Sequence, residues 1–421
     1  MNDAPRFLRE HQALTRRFFL AAGAASLGWA AVPSRRVVFG AEPDARLAEA
    51  VNKLEPFFTP PAEFRDVSRG KPIPHTLTEE RRREVGLTRE TWRLEVVADS
   101  EQPAKIRRPL SREKNTALDF AALLQIAETK AVRFAKVMTC LNMGCPLGMG
   151  VWEGVPLRDV LWLTQPVENL RRVFYYGYHN DDPKQIFRSS LPAGRVLEDP
   201  YELPPVILCY KLNGQWLSPQ RGGPVRMVVP EAYGFKSVKW LTHVVLTNQP
   251  HSNDTYADGN NDIDSPLKSF AATLSVPSEW PAGQPLPVTG YAQVGLSGVR
   301  GVQTLVTPAD EEPAADDPYF QSAKWTDARL LGPPSGWGGE LPEDRIPEQT
   351  LGFDGQKPRQ WPLPLGKVHW AALLPPLPAG EYALRSRTID DKGIAQPMPR
   401  PFRKSGHSGL ETVNFKIIEP K

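Results

Sequence analysis

The chain has 421 residues, with 51 Lys plus Arg against 48 Asp plus Glu, 44 prolines and three cysteines. This near balance of charge removes the field that would gather nucleic acid or an anionic lipid surface, so a small-molecule substrate and protein partners are the expected ligands. The length suits two domains, because single cores seldom grow beyond about 250 residues, and the proline content disfavours long helices.

In chain order, "LTRRFFLAAGAASLGWAAV" sets Arg16 and Arg17 before an apolar stretch from Phe18 to Val32. That stretch is shorter than the about 20 residues a membrane-spanning helix needs. A basic region, a short apolar region and small residues predict a signal peptide over 1–41 of twin-arginine type, and hence a periplasmic or otherwise exported protein; an uncleaved N-terminal anchor is the alternative. Residues 42–90 are polar and proline-punctuated, an extended lead-in with a short helix near "TLTEERRREV". In "TWRLEVVAD", Trp92, Leu94 and Val96 alternate with polar residues, as a half-buried strand requires. "NTALDFAALLQIAE" has helical spacing, with Asn115 or Thr116 as its cap. "AVRFAKVMTC" reads as a strand ending at Cys140, and "WEGVPLRDVLWL" as a helix with Pro156 in its first turn.

The run "PPVILCYKLNGQWL" is a hairpin turning at Asn213–Gly214, with Cys209 a core thiol inside it. "PVRMVVP" and "SVKWLTHVVLTN" add two strands. The fold class is therefore α+β, with a mixed domain over 91–262. From 265 to 421 helical patterns vanish. Short strands at turn-separated intervals ("SFAATLSVP", "PLPVTGYAQVG", "GVQTLVTP", "KVHWAALLP", "GEYALRSRTID", "TVNFKIIE") predict an immunoglobulin-like β-sandwich. The Pro/Gly-rich stretch 331–366 exceeds an ordinary loop; segments of that size are functional or disordered.

Two of the cysteines, Cys140 and Cys145, lie in "KVMTCLNMGCPLGMGVWEGVPLRDVL". The spacing is not that of a zinc site, and no second Cys/His pair completes one. At a strand end entering a Gly-rich loop, Cys140 can face a cleft, although an isolated cysteine is more often a core residue.

The ordered set "TWRLEVV", "MTCLNMGC", "WEGVPLRDVL", "PPVILCYKLNGQWL", "GGPVRMVVPEAYGFKSVKWL" and "EYALRSRTIDDKGIAQP" resembles the sulfite oxidase family of molybdenum enzymes, from about residue 55 onward. The resemblance implies a molybdenum–molybdopterin cofactor with Cys140 as the one protein ligand to the metal, and a C-terminal domain that pairs two chains into a homodimer. A soft thiolate suits a metal that changes oxidation state. The pterin carries a phosphate, which calls for cationic forks and close backbone approach. Arg221 and Arg226 flank a Gly-Gly-Pro turn where backbone can approach a ligand; by resemblance Arg226, Ser237, Val238 and Lys239 bind the cofactor, Arg221 is a further candidate that stands where relatives carry His or Asn, and Cys145 matches no ligand. Tyr256 in "NQPHSNDTYADGNND" matches the tyrosine brought toward the metal, with His251 a second candidate, and Arg65 matches a substrate-side arginine. Animal and plant sulfite oxidases carry paired arginines after the ligand cysteine, where this chain has "CLNMGC". A doubly charged anion needs cations there, so a neutral sulfoxide stands beside sulfite as an expected substrate. "YGFK" is shared with the family's periplasmic methionine sulfoxide reductases. A non-catalytic molybdopterin-fold scaffold is the reading from another class. With no haem-attachment motif, electrons are expected to leave through a separate protein of cytochrome type.

Overall fold

The computed structural model describes residues 44–421, apart from 144, 201, 253, 260, 265, 398–403, 407, 408 and 421. The twin-arginine segment lies outside the described residues. No helix among the described residues is long and apolar enough to cross a membrane.

The lead-in carries the helices Ala45–Asn52 and Glu79–Glu84. The second is capped by Thr78, whose hydroxyl accepts from Arg81 N at 3.2 Å, satisfying one of the amides a helix start leaves free. The strand expected at "TWRLEVVAD" runs over Arg93–Ala98, with Trp92, Leu94 and Val96 fully buried. It lies parallel to Leu241–Thr247, which pairs antiparallel with Arg172–Gly177 and, through it, with Arg188–Pro192. Trp92 Nε1 donates to Leu241 O at 2.7 Å across this sheet.

The next helix spans Phe120–Lys130 and begins later than its periodicity suggested. Leu118–Asp119 is a strand instead, and the cap is Asp119, which accepts from Ala122 N at 2.8 Å, not Asn115 or Thr116. A second difference matters more. "PLGMGVWEGVP", expected as loop and then helix, is one strand over Pro146–Pro156, and the helix starts only at Leu157 with Pro156 as its cap. Val132–Thr139 and Pro146–Pro156 thus form a hairpin with Cys140 at its tip. Glycines allow this strand to be buried against its neighbours: a Cβ at Gly148 would stand 2.5 Å from the Phe64 ring.

A second sheet continues from this hairpin through Ile207–Leu212 to Gln215–Trp216 on one side and Thr350–Leu351 on the other, with Arg226–Val228 also paired to Ile207–Leu212. Asn213 and Gly214 make the expected turn, at φ 51° and 77°. Asn213 does more than turn. Its buried amide accepts from Val151 N at 2.8 Å and donates to Gly339 O at 2.8 Å and Thr59 O at 3.0 Å. Cys209 is fully buried, as expected.

Beyond 265 the strands Phe270–Ser275, Leu286–Gln293, Gly301–Pro308, Thr326–Leu330, Lys367–Leu374, Gly380–Ile389 and Glu411–Ile418 join an eight-stranded sheet around a core that includes Val288, Val302, Trp370, Leu384 and Phe415. Stretch 331–366 is no loose excursion. Its Trp337, Leu341, Ile346, Phe353 and Leu363 enter the core built on the first two sheets. Trp337 stacks on Phe58 at 5.6 Å and meets Phe57 and Phe353 edge-on, each at 5.4 Å, while Phe58 N donates to Trp337 O at 2.9 Å.

Lys136, on the first strand of the Cys140 hairpin, is fully buried and donates to Ala232 O at 2.8 Å. Burial lowers its pKa to about 7. A lysine whose folded pKa lies below its unfolded value penalises folding most where it is charged, and the penalty fades as pH rises from about 7 toward 10.5. Two outcomes follow for denaturant unfolding of the cofactor-free chain. Lys136→Met should flatten the rise in stability between neutral pH and that upper range. Trp337→Ala should cost about 3–5 kcal/mol; a loss under about 1 kcal/mol, the scale of an exposed change, would mean that stretch 331–366 is not part of the core.

Candidate active site

The cleft into which the hairpin tip opens encloses about 910 Å³ of empty space, part of it open to solvent. Cys140, Arg221, Arg226, Ser237, Val238, Lys239 and Tyr256 all line it, and so does Arg65. His251 is exposed and does not reach it.

Each wall has a local cause. Cys140 follows the last strand residue, Thr139, and its N–H donates to Cys145 O at 3.3 Å, so the strands stay paired up to the tip. Arg221 closes a 3-10 turn capped by Ser218, and Gly222 follows in the left-handed region at φ 96°. A side chain at Gly222 would strike the Lys239 stem, with Cγ only 2.7 Å from the added carbon. The residue must therefore be glycine on two counts, conformation and close approach.

Arg226 is buried and acts as a fork between two turns. Nη1 donates to Arg221 O at 3.0 Å and Nη2 to Ser237 O at 2.6 Å. Its guanidinium stands 5.3 Å over the Trp152 ring. Arg221 Nη1 donates to Phe64 O at 2.9 Å. Arg221 Nε and Nη2 and Arg226 Nε are buried with no hydrogen-bond partner among the described residues. Burial lowers both arginines from their ordinary pKa, Arg226 to about 10. Ser237 Oγ accepts from Val229 N at 3.2 Å, and Val238 O accepts from Met227 N at 2.9 Å, which pins the segment before Lys239.

Lys239 reaches across to the lead-in. Its Nζ donates to Ser68 Oγ and Gln220 O, both at 2.7 Å, and to Asp66 Oδ1 at 3.0 Å. Burial, reinforced by Arg226 and opposed by Asp66, lowers its pKa to about 7. Burial works against Asp66 ionising, but Ser68 and the Lys239 ammonium outweigh it and hold the carboxyl at about 2. The opposite wall carries Tyr256, stacked on Phe235 at 4.4 Å, with its hydroxyl donating to Asn142 Oδ1 at 3.2 Å, two residues from Cys140. Burial lifts the phenol above its ordinary pKa while Arg69 pulls it down.

Several lining residues were not legible beforehand. Phe64, Ser68 and Arg69 come from the lead-in, read only as extended chain. It is fastened along the hairpin by Thr59 N donating to Met149 O and Arg65 N to Leu147 O, both at 2.8 Å. Arg69 lies 4.6 Å over the Phe187 ring, and Phe187 meets Tyr256 edge-on at 5.6 Å. His179, held by Gly177 O at 3.0 Å, and Asn142 complete this side. The repeated arginines of "EFRDVSRGKPIP" were the available signal for Arg69.

Two arginines with orphaned buried N–H groups and a cysteine, all lining one cleft, fit an anionic cofactor with a soft-ligated metal, since buried donors without partners cost about 1–3 kcal/mol each and an anion that reaches them removes that cost. Residues 82–255 match the family described as oxidoreductase molybdopterin binding domain. Mitochondrial sulfite oxidase of Drosophila melanogaster is 26% identical over 218 residues, 44% of this chain and 37% of the relative. Nitrate reductase [NADH] 2 of Arabidopsis thaliana is 29% identical over 171 residues, 38% and 18% of the two chains, and nitrate reductase [NADPH] of Beauveria bassiana 28% over 134 residues, 32% and 14%. The chain thus spans between 14% and 37% of the length of these relatives. In fold it is similar to the sulfane dehydrogenase SoxCD of Paracoccus pantotrophus, with a TM-score of 0.54 and 18% identity over 91% of this chain and 93% of that one. The chain thus carries an oxidoreductase molybdopterin binding domain over residues 82–255, and over part of its length it is similar to sulfite oxidase.

Proposed function

We propose that the chain is an exported molybdenum-cofactor enzyme carrying out oxygen-atom transfer on a small sulfur-containing substrate, in the manner of a sulfite oxidase or dehydrogenase. The observation that carries this reading is the convergence of Cys140, the orphaned donors of Arg221 and Arg226, and Tyr256 on one cleft. Cys140 would hold the metal. Arg221, Arg226, Lys239 and the backbone of Ser237 and Val238 would hold the pterin phosphate through charge-assisted hydrogen bonds. When bound, the cofactor supplies two-electron redox chemistry, and the protein supplies binding, orientation and charge.

The substrate side favours an anion in spite of the arginine-free "CLNMGC" turn. Arg65 and Arg69 line the cleft from the lead-in, Arg65 spending one N–H on Cys145 Sγ at 3.5 Å and Arg69 resting on a ring. Both forks thus keep donors for an oxyanion. Tyr256, whose hydroxyl can accept as well as donate, orients substrate beside them. The turn after Cys140 itself carries no cation, and that favours a neutral sulfoxide as the second reading.

The strands of 265–421 that lie outside stretch 331–366 act as an immunoglobulin-like domain that pairs two chains. Leu296 and Ile394, about half exposed, belong to loops joined by Asp391 N donating to Ser297 O at 3.1 Å. Electrons pass to a separate cytochrome-type protein.

Protein from a cofactor-producing host should contain near one molybdenum per chain by metal analysis, and Cys140→Ser should abolish it, since a hydroxyl is a far poorer ligand. Metal-free protein from such a host would favour the scaffold reading. On one preparation, sulfite oxidation should exceed sulfoxide reduction. Arg69→Gln should raise KM for sulfite roughly 10- to 100-fold, the worth of a hydrogen bond to a charged group, with a smaller change in kcat; activity on a sulfoxide alone would replace the anion reading.

A further inference from the structure

Cys145 is unused by this reading, yet it stands opposite the metal-facing thiol. Thr139 pairs with Pro146, and Cys140 N donates to Cys145 O at 3.3 Å, so the antiparallel register extends one step to the two cysteines. Residues opposed in such a ladder have Cα atoms about 4.5–5.5 Å apart, inside the ~4.4–6.8 Å that a disulfide spans. Both thiols are free and partly exposed. In the turn between them Asn142 and Met143 are exposed, Met143 to 51%, while Leu141 is buried in the core and anchors it. Cys145 Sγ contacts the exposed Arg65 side chain rather than a core neighbour.

We propose that Cys140 and Cys145 are a modification site: in the cofactor-free chain they form an intrachain disulfide, which takes the metal-facing thiolate out of use. The oxidant is another disulfide, small-molecule or protein. One thiolate attacks it, forming a mixed disulfide and releasing one thiol. The second cysteine then displaces the other thiol. Two electrons and two protons leave the pair, and the oxidant is reduced to two thiols. Cys209 does not compete. It is fully buried, its Sγ donates to Lys211 O at 3.2 Å, and burial pushes its pKa up to about 12.

That the cross-link blocks metal binding rests on the proposed role of Cys140; that it forms does not. The test uses the full chain purified from a host unable to make the cofactor, incubated under native conditions with oxidised glutathione, then alkylated and cleaved with trypsin. The peptide 137–158 holds both cysteines. It should lose the mass of two hydrogens and take no alkyl group, while Cys209 becomes alkylated on denaturation. Cys145→Ser should instead leave a glutathione adduct or a free thiol at Cys140. Two alkylated thiols, or two adducts without the internal bond, would overturn the proposal. Molybdenum-loaded protein should resist the cross-link. Equal formation in loaded protein would keep the disulfide but remove Cys140 from the metal, separating the two ideas.

Discussion

Around the cleft, positive charge is buried with little negative charge beside it. Among the described residues Arg226 has no carboxylate partner. Its fork is satisfied by two backbone carbonyls, and its neighbours are Arg221 and Lys239, with Asp66 the acid that meets Lys239. Glu231, which acts on Lys136 from a distance, is engaged by Arg195 at 2.7 Å. Removing charged groups from water is costly unless something pairs with them. Burial depresses the pKa values of Arg226 and Lys239, the direction that cost requires. An anion in the cleft would offset it; the surrounding turns, with Gly222 under the Lys239 stem, hold these cations in place.

The hairpin and the lead-in divide the remaining work. The hairpin carries one thiol to the cleft on two long paired strands, a stiffer support than a free loop gives. The lead-in lacks regular structure where it passes the cleft, yet backbone hydrogen bonds to the hairpin and the Lys239–Asp66 ion pair fix its course. Arg65 and Arg69 therefore arrive at the site from far away in sequence. The turn beside the cysteine carries no cation, and the segment fastened along the hairpin brings two to the cleft, an arrangement invisible in the order of residues.

Local signals set the elements that depend on near neighbours. Alternation placed Arg93–Ala98, the Asn-Gly pair placed the turn at 213–214, and the spacing of short apolar runs placed most strands after 265. Where burial competes with propensity the reading failed. The glycines of "PLGMGVWEGVP" look like loop, but they are required by close approach of Phe64 and the neighbouring strands, which no local pattern expresses. The proline-rich 331–366 stretch likewise looked unanchored because its partners, Phe57 and Phe58, lie almost three hundred residues earlier.

By itself the sequence determined the chemical types: a thiol at a strand end, arginines about a Gly-Gly-Pro turn, a serine and lysine after them, and a tyrosine further on. Those follow from residue identity and short-range spacing, which covalent order fixes. Only the tertiary structure decided that these groups share one cleft, that Arg65 and Arg69 join them while His251 does not, and that Cys145 stands across from Cys140. Such juxtapositions arise from strand register and from long-range burial, and both are properties of the folded chain.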